Sequence, residues 1–208
     1  MIRNILFDMG NVITVYDSYG AGRHFIKDEA LRKKVVTSVF ISPEWLMLDM
    51  GIIPEEDALR RMKDRLDTEE EKELAETCFN NWHLYNKWPM PHMAELVKEL
   101  KEKGFKVFML SNASIRMPKV YKQTIPLWEL YDGFLFSAEI QYIKPQKEIY
   151  LEAFRRFRIR PEESFFIDDV PANIEGGKRC GMDGYCFADG DILKLKKRLS
   201  EVTGTAII

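Results

Sequence analysis

Four short stretches of this chain end an apolar run, or open a helix, on residues able to do chemistry. Asp8 follows Ile5-Leu6-Phe7, Ser111 follows the run Phe105 to Leu110, and Asp168-Asp169 follows Ser164 to Ile167. Lys144 stands just ahead of a helix predicted from about Gln146. Together they offer an isolated carboxylate, a hydroxyl, an ammonium and a carboxylate pair. That set suits transfer of a phosphoryl group from an ester to a carboxylate. Two or three acidic oxygens bind Mg²⁺, which prefers octahedral oxygen ligands and accepts phosphate oxygen among them. The cation removes the repulsion between an anionic nucleophile and an anionic phosphate. Lys144, with the hydroxyl and amides near Ser111, stabilises charge on the equatorial oxygens. Asp8 can then attack, forming an acyl phosphate that water cleaves.

Each residue has a plainer reading in isolation. Asp8 could cap a turn, and Ser111-Asn112-Ala113-Ser114 could be the N-cap of the next helix. Lys144 could be a solvated surface lysine, and Asp168-Asp169 could cap a helix with Pro171 at its first position. All four plain readings must hold together for the chemistry to be absent.

The elements that would deliver these groups to one rim are legible from the pattern. Pro91 to Lys103 places Met93, Leu96, Val97 and Leu100 on one helical face, and Gly104 stops it. Phe105 to Leu110 is a buried strand with polar residues at its carboxyl end. A helix over Gln146 to Phe157, a strand over Ser164 to Ile167, a helix over Pro171 to Cys180 and a strand near Gly184 to Phe187 continue the alternation. Strands alternating with helices predict an α/β fold, a Rossmann-like parallel sheet with helices on both faces. Between residues 16 and 88 the strand signal disappears. Helices are predicted over Asp28 to Phe40, Pro43 to Met50, Pro54 to Leu66 and Thr68 to Trp82, the last opening on a capping box, Thr68 to Glu71. The expected organisation is a core of residues 1–15 and 89–208 with a helical-bundle cap, 16–88, inserted over the carboxyl ends of the strands, where open α/β sheets bind ligands.

Composition narrows the partner. The 208 residues carry 31 basic and 33 acidic side chains, a net charge of -2, with no basic stripe to hold nucleic acid. A small molecule is the expected partner. Cys78, Cys180 and Cys186 have neither metal-ligand spacing nor the even number of a disulfide framework, and read as reduced thiols. His24, His83 and His92 share no ligand spacing. No apolar run approaches the ~20 residues a bilayer span needs, and the N-terminal run is halted by Asp8 too soon for a signal peptide. The expectation is a cytoplasmic protein, monomer or homodimer, away from membranes.

Asp8-Met9-Gly10-Asn11-Val12, Leu110-Ser111-Asn112, Lys144-Pro145 and Phe166-Ile167-Asp168-Asp169 resemble, in order, the four motifs of the haloacid dehalogenase superfamily. The helical insert is similar to that superfamily's first type of cap. Phe7 to Ile13, with Lys144-Pro145 followed by Glu148-Ile149-Tyr150, looks like the bacterial α-D-glucose-1-phosphate phosphatase subgroup. The resemblance spans essentially the whole chain. It implies a Mg²⁺-dependent phosphatase of a small phosphorylated metabolite, with Asp8 as nucleophile and metal ligand and Asp169 as direct carboxylate ligand. Asp168 would bind the metal indirectly or through water. Ser111 and Lys144 would hold the phosphoryl group, helped by the amide of Asn112.

One position departs from the pattern. Most phosphatases of the superfamily carry, two residues after the nucleophile, an aspartate that protonates the leaving oxygen and later activates water. Gly10 stands there. Its carbonyl can still bind the metal, but side-chain acid–base catalysis, typically worth about 10²–10⁴-fold, is gone. An anomeric sugar phosphate, such as glucose 1-phosphate, suits such a site because its leaving group needs less protonation. Asp17 is a candidate substitute acid, and Arg116 a candidate phosphate or substrate ligand. Trp45, Phe79, Trp82, Tyr85 and Trp88 are expected to pack the cap and hinge, with sugar stacking as the alternative role. Two rival activities follow: a metal-independent haloacid dehalogenase using the same Asp8, and a catalytically weak binding or regulatory protein that lost its acid at Gly10. The Asp168-Asp169 pair argues against the first, because a second anionic cluster beside the site makes sense with a cation.

Overall fold

Asn4, Ile5, Leu6 and Phe7 are all buried, as a strand covered on both faces and flanked on both edges requires. The computed structural model describes residues 1–208. In chain order its first elements are β1 (Asn4–Phe7), β2 (Thr14–Tyr16), α1 (Gly20–Phe25), α2 (Glu29–Phe40), α3 (Pro43–Asp49), α4 (Glu55–Lys63), α5 (Glu69–Tyr85) and β3 (Lys87–Pro89). Then follow α6 (Met93–Glu102), β4 (Lys106–Ser111), α7 (Met117–Thr124), β5 (Gly133–Phe136), α8 (Lys147–Phe157), β6 (Ser164–Asp168), α9 (Pro171–Arg179), β7 (Asp183–Cys186) and α10 (Ile192–Thr203).

Five strands form one sheet in the order β5-β4-β1-β6-β7, every neighbour parallel. The fold is a Rossmann-like α/β sheet wrapped by helices. Side chains alternate across it with the period of two that a pleated strand imposes. Ile5, Phe7, Val107, Met109, Phe165 and Ile167 enter one apolar cluster, while Leu6, Phe108, Leu110 and Phe166 enter the other. Truncating one such buried Phe or Leu to Ala costs about 2–5 kcal/mol. Register then fixes the rim. Phe7 lies beside Met109 on one edge and Ile167 on the other, so the strands carrying Asp8, Ser111 and Asp168 end side by side.

Helices α1 to α5 lie between β2 and β3, which pair antiparallel through three residues each. This ribbon brackets the all-helical stretch and was not itself expected, because three-residue strands are too short to display a period. The capping box at Thr68 and Glu71 is present, and Asp28 and Ser42 cap α2 and α3 through their side chains. Gly104, at φ +85°, follows α6 as the left-handed stop. β5, α1 and α7 were not expected from the pattern. No helix is long and apolar enough to cross a membrane.

Candidate active site

Lys144 organises the rim. Its side chain is almost wholly enclosed, and Nζ lies 2.8 Å from Asp8 Oδ1, 2.6 Å from Asp168 Oδ2 and 2.9 Å from the Leu110 carbonyl that accepts from it. Burial works against the ammonium, and the charges of Asp8 and Asp168 outweigh it, holding Lys144 above the ordinary lysine value. For Asp8 burial dominates. It lifts the carboxyl to about 6 against the pull of Lys144, and Asp168 adds to the rise. The Lys144 backbone is pinned as well. Its N–H donates to Asn112 Oδ1 at 2.8 Å, and Asn112 Nδ2 donates to its carbonyl at 3.0 Å.

Asp168 spends both oxygens inside the protein. Oδ1 accepts from the Val170 amide at 2.8 Å, Asn173 Nδ2 reaches both oxygens at 3.0 and 3.1 Å, and Lys144 takes Oδ2. Asp169 is partly accessible and accepts from Asn11 Nδ2 at 3.1 Å; burial raises its carboxyl above the usual range. Oxygens of Asp8, Asp168 and Asp169 all lie within 4.8 Å of one another. Three carboxylates facing one ammonium leave an excess of negative charge, and the donors are all hard oxygens. This set fits a divalent cation such as Mg²⁺.

A cavity of about 240 Å³ opens above the cluster. Asp8, Gly10, Ser111, Asn112, Lys144 and Asp169 line its core side, and Trp45, Asp49 and Trp82 come from α3 and α5 on the other. Trp45 and Trp82 meet edge to face at 5.2 Å.

A family model for haloacid dehalogenase-like hydrolases matches residues 2–181. The chain belongs to that family. It is a hydrolase, and its relatives include phosphatases. It is 27% identical over 201 residues to D-ribitol-5-phosphate phosphatase of Bacteroides thetaiotaomicron, covering 89% of this chain and 91% of that one. A predicted hydrolase of the family from Porphyromonas gingivalis superposes with a TM-score of 0.71 at 24% identity, over 96% and 98% of the two chains. A family enzyme from Bacteroides thetaiotaomicron, in complex with magnesium and inorganic phosphate, gives 0.68 at 21% identity, over 89% and 94%.

Of the residues singled out in the sequence, the haloacid dehalogenase-like rim gathers Asp8, Gly10, Ser111, Asn112, Lys144, Asp168 and Asp169. Arg116 is not brought there. Its guanidinium pairs with Glu55 at 2.7 Å, donates to the Phe79 carbonyl at 2.6 Å and lies over the Phe79 ring, so it ties α7 to α4 and α5. Asp17 is likewise absent from the cavity wall, being held by Arg23 and the Tyr19 amide. Tyr85 stacks on His24, and Trp88 is 45% exposed, so neither joins the cluster of Trp45, Phe79 and Trp82. The sequence reading missed Asn11, Tyr16, Asp49 and Asn173. Asn173 had a usable signal, because the first turn of a helix opening at Pro171 must face the strand end that precedes it. Asp49 had none, since its surroundings come from segments remote in sequence.

Proposed function

We propose that the chain is a Mg²⁺-dependent phosphatase of a small phosphorylated metabolite, acting through an aspartyl phosphate on Asp8. The observation that carries this reading is the Asp8–Lys144–Asp168 bridge at 2.8 and 2.6 Å, with Asp169 beside it. An ammonium so placed keeps the Asp8 oxygen charged and orients it toward the cavity. Helices α1 to α5 act as the cap, residues 16–88, over a core of 1–15 and 89–208. Relatives with phosphatase names, and a like fold in complex with magnesium and phosphate, support the class.

Asp8, Asp169 and the Gly10 carbonyl would hold the cation, with Asp168 fixed behind them by Asn173 and Lys144. When bound, Mg²⁺ neutralises phosphate oxygens and the carboxylates that would repel them. The Asp8 oxygen attacks phosphorus, and the ester oxygen departs with its electron pair. Lys144, the Ser111 hydroxyl and the Asn112 amide hold the equatorial oxygens meanwhile. Water then cleaves the acyl phosphate. Gly10 offers no proton to the leaving oxygen, so the site either takes esters whose leaving group needs little protonation, such as glucose 1-phosphate, or draws the proton from another element. The expected result is turnover of 4-nitrophenyl phosphate with Mg²⁺ that chelator stops and Asp8→Asn lowers by at least about 10³-fold. Turnover indifferent to chelator, or surviving in Asp8→Asn, would contradict the reading.

A further inference from the structure

Gly10 leaves the leaving oxygen without its usual proton donor, and the structure supplies a candidate in another element. Three residues lining the cavity carry carboxyl groups: Asp8, Asp169 and Asp49. The proposed chemistry uses the first two as nucleophile and metal ligand, and Asp49 is left over. It is the last residue of α3, so it enters from the wall that faces the strand ends. A phosphoryl group attacked in line by Asp8 points its leaving oxygen away from the nucleophile. Away from the strand ends the cavity is lined by Trp45, Asp49 and Trp82, so the leaving oxygen would meet α3 and α5.

We propose that Asp49 is the general acid and base of this site, replacing the aspartate that Gly10 lacks. The inference rests on the phosphatase reading above. In the first half-reaction the ester P–O bond breaks and its electron pair stays on the leaving oxygen, which takes the proton of Asp49. In the second, the Asp49 carboxylate takes a proton from water as the water oxygen bonds to phosphorus and the bond from phosphorus to Asp8 breaks. Phosphate leaves, and Asp49 is again protonated.

Three further observations support the assignment. The end of α3 is clamped onto the core: the Ser137 hydroxyl donates to the Asp49 carbonyl, and Gln141 Nε2 donates to the Gly51 carbonyl at 3.1 Å. Gly51, at φ +67°, packs so closely that a Cβ there would sit 2.3 Å from the Ala138 carbonyl oxygen. Burial pushes the Asp49 carboxyl up to about 8, the Ser114 backbone opposing and the charge of Asp8 adding to the rise, so at neutral pH it holds the proton an acid must give. Titratable groups sharing the cavity are Asp8, Tyr16, Lys144 and Asp169. On the segment packed beneath, Glu139 is turned to Arg156 and the Phe136 amide. Tyr16 also lines the cavity, and its phenol oxygen is buried.

The test is the dependence of kcat/KM on the leaving group, with 4-nitrophenyl phosphate, phenyl phosphate and glycerol 2-phosphate as probes. Wild type should respond weakly to leaving-group basicity. Asp49→Asn should respond steeply, its loss on glycerol 2-phosphate exceeding its loss on 4-nitrophenyl phosphate by about 10²-fold or more. The wild-type profile should fall as pH rises through about 8, because the acid form is consumed, and that limb should vanish in the variant. Asp49→Glu, which keeps the carboxyl, should restore part of the alkyl-ester rate. Equal losses on both esters, or a steep leaving-group dependence already in wild type, would overturn the assignment; the wild-type measurement stands even if the Asn variant fails to fold. Failure of wild type to hydrolyse any of these esters with Mg²⁺ is a separate result, and sinks the phosphatase reading and this inference together.

Discussion

Lys144 is the residue on which the site's electrostatics turn. Two carboxylates are buried against one ammonium, and neither has a second cation within the protein to replace it. Lys144→Met should therefore destabilise the metal-free protein by about 3–5 kcal/mol, the cost typical of removing one partner from a buried ion pair. Urea unfolding with chelator present measures it; a change below about 1 kcal/mol would mean that water already screens the cluster. The lysine was legible in the sequence because of its place before a helix in register with three other motifs. Its partners were only half legible. Asp168 was expected to bind the metal indirectly or through water; that Lys144, Asn173 and the Val170 amide take its oxygens was not foreseen, because it depends on where the start of α9 falls against β6. Arg116 looked like a phosphate ligand from its closeness to Ser111 in sequence. The turn between them sends it to α4 and α5 instead.

Elements with strong period or caps were readable: the buried strands β1, β4 and β6, and α2, α5, α6 and α8, differ from expectation by a few residues at their ends. The ribbon of β2 and β3 was not, for its three-residue strands are defined by each other and by the chain's return from α5. Asn86 joins these pieces. It is fully buried between α5 and β3, its Oδ1 accepts from the Ala21 amide at 2.6 Å, its backbone carbonyl accepts from the Asp17 amide at 2.7 Å, and its Nδ2 reaches the Ser18 carbonyl at 3.4 Å. Asn86→Ala removes the side-chain partner of a buried N–H, a change worth about 1–3 kcal/mol. Reduced stability in urea of that size is expected, and loss of less than about 0.5 kcal/mol would show that the ribbon holds α1 in place without it.

At the scale of the molecule, two separate surfaces make one site. The sheet delivers anions and the ammonium to its carboxyl edge, as the alternation of strands and helices foretold. Helices α3 and α5 close the other side with two indoles, already singled out in the sequence, and a carboxyl group that no local pattern could mark, because its meaning depends on what it faces. Arg116, Ser137 and Gln141 hold those surfaces together across the cavity. In the proposed reaction this enclosed rim lets Asp8 carry the phosphoryl group. The most direct test is rapid acid quench of the Mg²⁺-loaded protein during turnover of 4-nitrophenyl phosphate, followed by mass spectrometry of the peptide containing Asp8. One added phosphoryl group on Asp8 is expected, absent when hydroxylamine is added after the quench and absent in Asp8→Asn. Turnover with Asp8 unmodified at every quench time, or with the phosphoryl group on another residue, would contradict it.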